Sequence, residues 1–275
     1  MKKILAMILA LTMSFALVSC GGAATTGSGS GSNPADDTMK LAEPGVLTMG
    51  TNATFPPYEF YDGEDIVGID VELSAAIAEK LGLELKVVDM EFGTLVDAVQ
   101  SGKIDMCLAG MTADPERAKN VDFSQSYATG IQAVIVNEGS DITSVDDLYA
   151  KLEAGEDFLI GTQESTTGYI YSSDTVENGG FGEEHVLAFT AGAAAVQALL
   201  QGKVDCVIID NQPAKAFVEA NPGLKLLDTE YVTEDYAIAL PKNNAALSDA
   251  VNQALAELLE DGTVQKILDK YIAAD

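Results

Sequence analysis

Gly102-Lys103-Ile104-Asp105 recurs one hundred residues later as Gly202-Lys203-Val204-Asp205, and each copy runs on into an apolar stretch, Met106-Cys107-Leu108-Ala109 in the first and Cys206-Val207-Ile208-Ile209 in the second. The residues ahead of each copy repeat as well: Leu95, Val96, Ala98 and Val99 stand against Ala195, Val196, Ala198 and Leu199. Each unit reads as a helix, a glycine turn, an apolar strand and a polar turn. The turn is Gly110-Met111-Thr112-Ala113-Asp114 in the first unit and Asp210-Asn211-Gln212-Pro213 in the second. Two such units in a chain of 275 residues describe two similarly built α/β lobes, because one core rarely fills a chain of that size.

Working outward, strand-like runs fall at Val46–Gly50, Leu83–Val88, Ile104–Ala109, Phe158–Gly161, Val186–Phe189, Val204–Ile209, Leu224–Leu227 and Tyr236–Leu240. Helical patterns alternate with them. Asp70 is expected to cap a helix carrying Leu73, Ile77 and Leu81 and stopped by Gly82. Further helices are expected at Thr94–Gln100, Val145–Leu152, Ala193–Gln201, Pro213–Ala220, Leu247–Glu260 and Thr263–Ile272. Alternating strands and helices make sheets covered on both faces. Such sheets bind ligands beyond the carboxyl ends of their strands, where the Gly110 and Asp210 turns both fall.

The N-terminus reads as a leader. Lys2 and Lys3 precede an apolar run, Ile4 to Val18, that ends in Leu17-Val18-Ser19-Cys20. Residues 1–19 are expected to be a lipoprotein signal peptide, with Cys20 taking a diacylglyceryl thioether as the mature N-terminus. Residues 20–43 then form a Gly/Ser tether, whose r.m.s. reach over some twenty residues is about 25 Å. No later stretch approaches the ~20 apolar residues of a membrane span. The protein is therefore expected outside the cytoplasm, held to the cell membrane by lipid. Loss of Lys2 and Lys3 takes the formal charge from −28 to −30. So acidic a surface argues against nucleic acid, which needs basic patches to neutralise phosphate. Cys107 and Cys206 sit in apolar runs and are expected as small buried residues, not a disulfide. No metal cluster or cofactor is implied.

Arg117 is the one arginine of the chain. Solvated basic positions use lysine here, so a single guanidinium suggests a site that needs a planar fork of donors for a carboxylate. Asp114 is expected to cap a helix with Pro115 at its first position, which puts Arg117 in a first turn that already favours anions. The ordinary alternative is a surface ion pair with one of many acids.

Three segments carry a resemblance. They are Gly50-Thr51-Asn52-Ala53-Thr54-Phe55-Pro56-Pro57-Tyr58-Glu59-Phe60 with Gly68-Ile69-Asp70; Gly110-Met111-Thr112 with Glu116-Arg117 and Val121-Asp122-Phe123-Ser124; and Gln163-Glu164-Ser165-Thr166-Thr167-Gly168 with Asp210. In order, across residues 44 to 273, the chain resembles the polar amino-acid solute-binding proteins of ABC transporters, the family 3 extracellular receptors. That resemblance implies a type II periplasmic-binding-protein fold of two α/β lobes. Lobe 1 would hold 44–129 and 237–275, lobe 2 would hold 130–236, and two strands would cross near Thr129–Ile131 and Asp235–Ala237.

The resemblance also implies roles. Arg117 would clamp a ligand α-carboxylate with the N–H of Thr112 and the Thr166-Thr167 turn. Asp210 would take the α-ammonium, helped by Gly110 and the Thr112 hydroxyl, with Met111 in the same turn. Phe55 and Phe92 would pack on the ligand side chain, and Asn52 and Gln163 would address its polar end. Each has a plainer reading too. Phe55 and Phe92 could be core residues, Thr166, Thr167 and Asp210 could cap helices, and Asn52 could form a turn. Glu164-Ser165 replaces a glycine common in the family, and the 147–157 segment is longer than its usual turn.

Asn52, standing where an acid would suit a cationic ligand, favours a polar uncharged amino acid such as glutamine, or cystine. The expected partner is an ABC permease, and the expected state a monomer. An enzyme on the same fold, of the cyclohexadienyl or arogenate dehydratase kind, is the alternative. It would have to rely on a carboxylate such as Glu59 or Asp210, because His185 is the one histidine and no nucleophile–base pair exists.

Overall fold

Asp105 and Asp205 show why the repeated stretch folds the same way twice. Asp105 Oδ2 accepts the N–H of Thr48 at 2.7 Å, and its own N–H donates to Thr48 O at 2.8 Å. Asp205 makes the same two bonds with Leu159, both at 2.8 Å. Ahead of them, Gly102 and Gly202 take φ of 72° and 65°, the left-handed turn that glycine adopts without steric cost. Each aspartate thus pins the helix–turn–strand unit to the edge of the neighbouring strand.

The computed structural model describes residues 39–272. The leader, Cys20 and the tether to residue 38 lie outside the described residues. From Met39 the chain is packed on the body, with Ala42 N–H donating to Asp105 Oδ1 at 2.7 Å. The strands are β1 (Val46–Thr51), β2 (Thr54–Phe55), β3 (Glu59–Asp62), β4 (Asp65–Val67), β5 (Glu84–Asp89), β6 (Met106–Cys107), β7 (Val121–Asn137), β8 (Ile160–Gln163), β9 (Val186–Phe189), β10 (Cys206–Asp210), β11 (Leu224–Leu226) and β12 (Val232–Pro241). The helices are α1 (Ile69–Leu81), α2 (Leu95–Gln100), α3 (Val145–Ala154), α4 (Thr167–Ser173), α5 (Gly192–Leu200), α6 (Asn211–Ala220), α7 (Ala245–Glu260) and α8 (Thr263–Tyr271).

The main sheet runs β5-β1-β6-β12-β7-β10-β8-β9, while β2, β3 and β4 form a small sheet of their own. In one lobe β5, β1 and β6 are parallel and β12 joins them antiparallel. In the other, β9, β8 and β10 are parallel and β7 joins them antiparallel. The two halves have the same order, met at the middle by the β7–β12 pair. Alternation along strands builds a core on each face. Met106 and Leu108 enter one cluster with Leu47, Ile77, Leu247 and Val251, whereas Cys107 and Ala109 enter another with Leu95, Val99 and Ile104. In the second lobe Cys206 and Ile208 join Val134, Phe158 and Phe181, while Val207 and Ile209 join Ile135, Val196 and Leu199. Cys107 and Cys206 are buried and free, as expected.

Several local expectations change. Asp70 does not cap α1; Gly68 occupies the cap position and the Asp70 carboxylate is buried. The 147–157 segment begins inside helix α3, whose capping box pairs Ser144 with Asp147 and whose Val145 and Leu148 fill the second-lobe core. The seventeen-residue β7 was not among the expected strands. Its first half is polar and partly exposed, while its second half is buried on both faces, so no single period runs through it.

Candidate functional site

Between the lobes lies a small cavity. Ten of the expected residues line it: Asn52, Phe55, Phe92, Gly110, Thr112, Arg117, Gln163, Thr166, Thr167 and Asp210. Met111 does not. Its side chain is fully buried among Leu95, Val99 and Val121, and its carbonyl accepts the Ala237 N–H at 3.0 Å. That bond, with Ala113 N–H to Asp235 O at 3.1 Å, stitches the Gly110–Ala113 turn to β12 where the lobes meet.

Arg117 is nearly buried, at 9% exposure. The expected helix is only a three-residue 3-10 turn, Arg117–Lys119. Asp114 Oδ1 still caps it, accepting the N–H groups of Glu116 at 2.8 Å and Arg117 at 3.1 Å. The free backbone donors expected there are therefore already satisfied, which leaves the guanidinium as the cationic group of Arg117 on the cavity. It lies 5.2 Å over the Phe92 ring. Its two terminal nitrogens donate to Thr112 O in one lobe and Ser165 O in the other, each at 3.0 Å. Burial pulls its pKa down, against Asp114 and Glu234, which favour the charge.

From the other lobe come Thr166, Thr167 and Asp210. Thr166 caps α4, accepting the Tyr169 N–H at 3.3 Å while its hydroxyl donates to Gln163 O at 2.7 Å. It therefore both caps and lines the cavity. The Thr167 hydroxyl donates to Glu234 Oε2 at 3.1 Å, and Gln132 Nε2 donates to the same oxygen at 2.8 Å. Glu234 and Gln132 belong to the crossing strands, so the start of α4 is fixed to both. Asp210 stands at the N-cap position of α6 but makes no side-chain cap bond. Its carboxylate instead accepts the Tyr236 hydroxyl. Burial, then the nearby Glu234, pushes Asp210 up to about 7.

The far end is closed by amides. Gln163 Nε2 donates to Asn52 Oδ1 at 3.0 Å across the cleft, and Asn52 Nδ2 donates to Met90 O at 3.0 Å. Phe55 packs against apolar clusters of both lobes, so it is at once a core residue and a wall of the cavity.

Sequence reasoning gave Glu59 a place only in the enzyme alternative, yet it lines this cavity and is fully buried. The signal was an acid set among aromatics in Pro57-Tyr58-Glu59-Phe60. Burial, then Asp70, holds its pKa well above the usual carboxylate range.

The family model of bacterial extracellular solute-binding proteins, family 3, matches residues 47–274. The arginine-binding extracellular protein ArtP of Bacillus subtilis (strain 168) is 32% identical, with 100% of both chains covered. The L-cystine-binding protein TcyJ of Escherichia coli (strain K12) is 30% identical over 86% of each chain. An ancestral arginine-binding protein bound to glutamine superposes with a TM-score of 0.74 at 38% identity, covering 84% of this chain and 99% of its own.

Proposed function

Because the chain belongs to family 3 of the bacterial extracellular solute-binding proteins, we propose that its cleft captures one free α-amino acid by both charged ends and hands it to an ABC permease. It is a binding protein and not an enzyme, as its relatives are. The carrying observation is the buried Arg117 guanidinium and the buried Asp210 carboxylate on one cavity, contributed by different lobes. Arg117, with the α4 start at Thr166-Thr167, would take the ligand carboxylate. Asp210, Gly110 O and the Thr112 hydroxyl would take the ammonium. Only a closed cleft satisfies both ends, so ligand favours closure about the β7–β12 crossing. The hinge then lies near Thr129–Ile131 and Asp235–Ala237, with lobes of 44–129 plus 237–275 and of 130–236.

Phe55 and Phe92 offer apolar faces for the side chain, and the Asn52–Gln163 amides suit an uncharged polar end such as that of glutamine or cystine. A cationic side chain is the second reading. The arginine-binding relative ArtP favours it. The lipid anchor at Cys20 completes the reading, holding a monomeric receptor on the outer face of the cell membrane.

Isothermal calorimetry with the common amino acids and cystine tests it. A micromolar Kd, about −8 kcal/mol, is expected for one of them. Arg117→Ala is expected to abolish binding while the protein stays folded. Affinity retained in that variant would refute the carboxylate clamp.

A further inference from the structure

Two buried carboxyls lie under the pocket floor, and three of their four oxygens meet no donor. Asp70 and Glu59 are both fully buried. Asp70 Oδ2 accepts the Gly110 N–H at 2.8 Å and the Tyr127 hydroxyl at 2.9 Å. Its Oδ1 and both Glu59 oxygens meet no donor, while the two carboxyls lie within hydrogen-bonding reach of each other. Two ionised carboxylates facing one another in a dry site repel strongly and leave three oxygens stranded. One proton held between them removes the repulsion and satisfies two of those three oxygens.

The donors decide where that proton sits. Asp70 already accepts two hydrogen bonds, which favour its ionised form; Glu59 accepts none. The proton belongs on Glu59, whose hydroxyl then donates to Asp70 Oδ1. The other titratable groups around the pair are Asp89 on β5, Cys107 on β6, Asp210 on β10, Tyr58 and Tyr127, and Arg117 is the cation that lines the cavity with Glu59.

Gly110 connects this pair to ligand capture. It lines the cavity and takes φ of 51°, and a Cβ there would stand 2.6 Å from the Phe55 ring. The Gly110–Thr112 turn must therefore keep a conformation that its own side chains do not enforce. We propose that Asp70 is a positioning residue for amino-acid capture, holding that turn in its ligand-facing form through the Gly110 N–H, with Glu59 serving it as a neutral hydrogen-bond donor. This rests on the amino-acid reading of the cleft. It also means that the floor carries one negative charge, from Asp70, beneath the place assigned to the ammonium.

The test is calorimetry at pH 7.5 with whichever of the common amino acids or cystine binds the wild-type protein. Amide spectra of Gly110 are recorded alongside. Glu59→Gln keeps the donor and is expected to bind within about threefold of wild type. Glu59→Ala and Asp70→Asn are expected to lose at least tenfold, with the Gly110 amide proton moving upfield in Asp70→Asn as its carboxylate partner goes. A folded Asp70→Asn protein with wild-type affinity overturns the positioning role. If Asp70→Asn does not fold, the Glu59 pair decides: equal losses in Glu59→Gln and Glu59→Ala overturn the neutral-donor assignment. Wild-type protein that binds none of these amino acids overturns the amino-acid reading itself, a result distinct from wild-type binding that Asp70→Asn leaves intact.

Discussion

Lowering the pH from 8 to 5 should weaken amino-acid binding roughly a hundredfold through Asp210 alone. The ammonium needs an ionised partner, and Asp210 in the ligand-free cavity sits at about 7 because burial and Glu234 both disfavour its charge. Tyr236 and Gln132 pull the other way, and Arg117 lies on the same cavity. At pH 8 about a tenth of the protein carries a proton there; at pH 5, two units below, nearly all does. Each unit corresponds to about 1.4 kcal/mol, so the loss approaches about 2.7 kcal/mol. Calorimetry in buffers of different ionisation enthalpy should also show about half a proton released per ligand at pH 7.

The sign for stability is opposite. A carboxyl whose folded pKa is raised from 3.8 to about 7 binds more protons folded than unfolded between those values. The ligand-free protein should therefore melt higher at pH 5 than at pH 8. Asp70, raised to about 6 mainly by burial, acts in the same direction. Asp210→Asn should bind more weakly at pH 8 and show a much flatter profile. A wild-type affinity constant from pH 8 to 5, or an unchanged slope in Asp210→Asn, would refute the role given to Asp210.

Three further outcomes are expected. Ser165 holds φ of 64° while its carbonyl accepts from Arg117; Ser165→Gly should relieve the left-handed strain and raise stability by about 1 kcal/mol, measured by chemical denaturation. Gln163→Ala removes the bond to Asn52 across the cleft. That costs about 1 kcal/mol of closed state, and interlobe distances from spin labels should show the unliganded closed fraction falling about fivefold. Gly130 lies against the Tyr236 ring where a Cβ would collide, so Gly130→Ala should destabilise by about 1–3 kcal/mol and weaken binding by displacing the tyrosine from Asp210.

The sequence determined much of this protein because much of it is local or repeated. The Gly102–Asp105 and Gly202–Asp205 stretches specify two copies of one unit, and the alternation after each sets which residues face which core. Leu73, Ile77 and Leu81 mark the buried face of α1, and Gly82 ends it at φ of 68°. A lone arginine after a strand-end turn was enough to mark a residue that lines the cavity. What needed tertiary structure was every relation between distant segments. β7 crosses from one lobe to the other, so its burial pattern changes midway and no window of sequence contains its reason. Met111 shares a motif with Gly110 and Thr112, yet the strand period turns its side chain into the core. Asp70 reads as a helix cap, but α1 docks so that its carboxylate meets Gly110, Tyr127 and Glu59, residues 40, 57 and 11 positions away. Whether an acid is a cap, a ligand group or a proton holder depends on which donors the fold brings to it, and that is decided only when the segments meet.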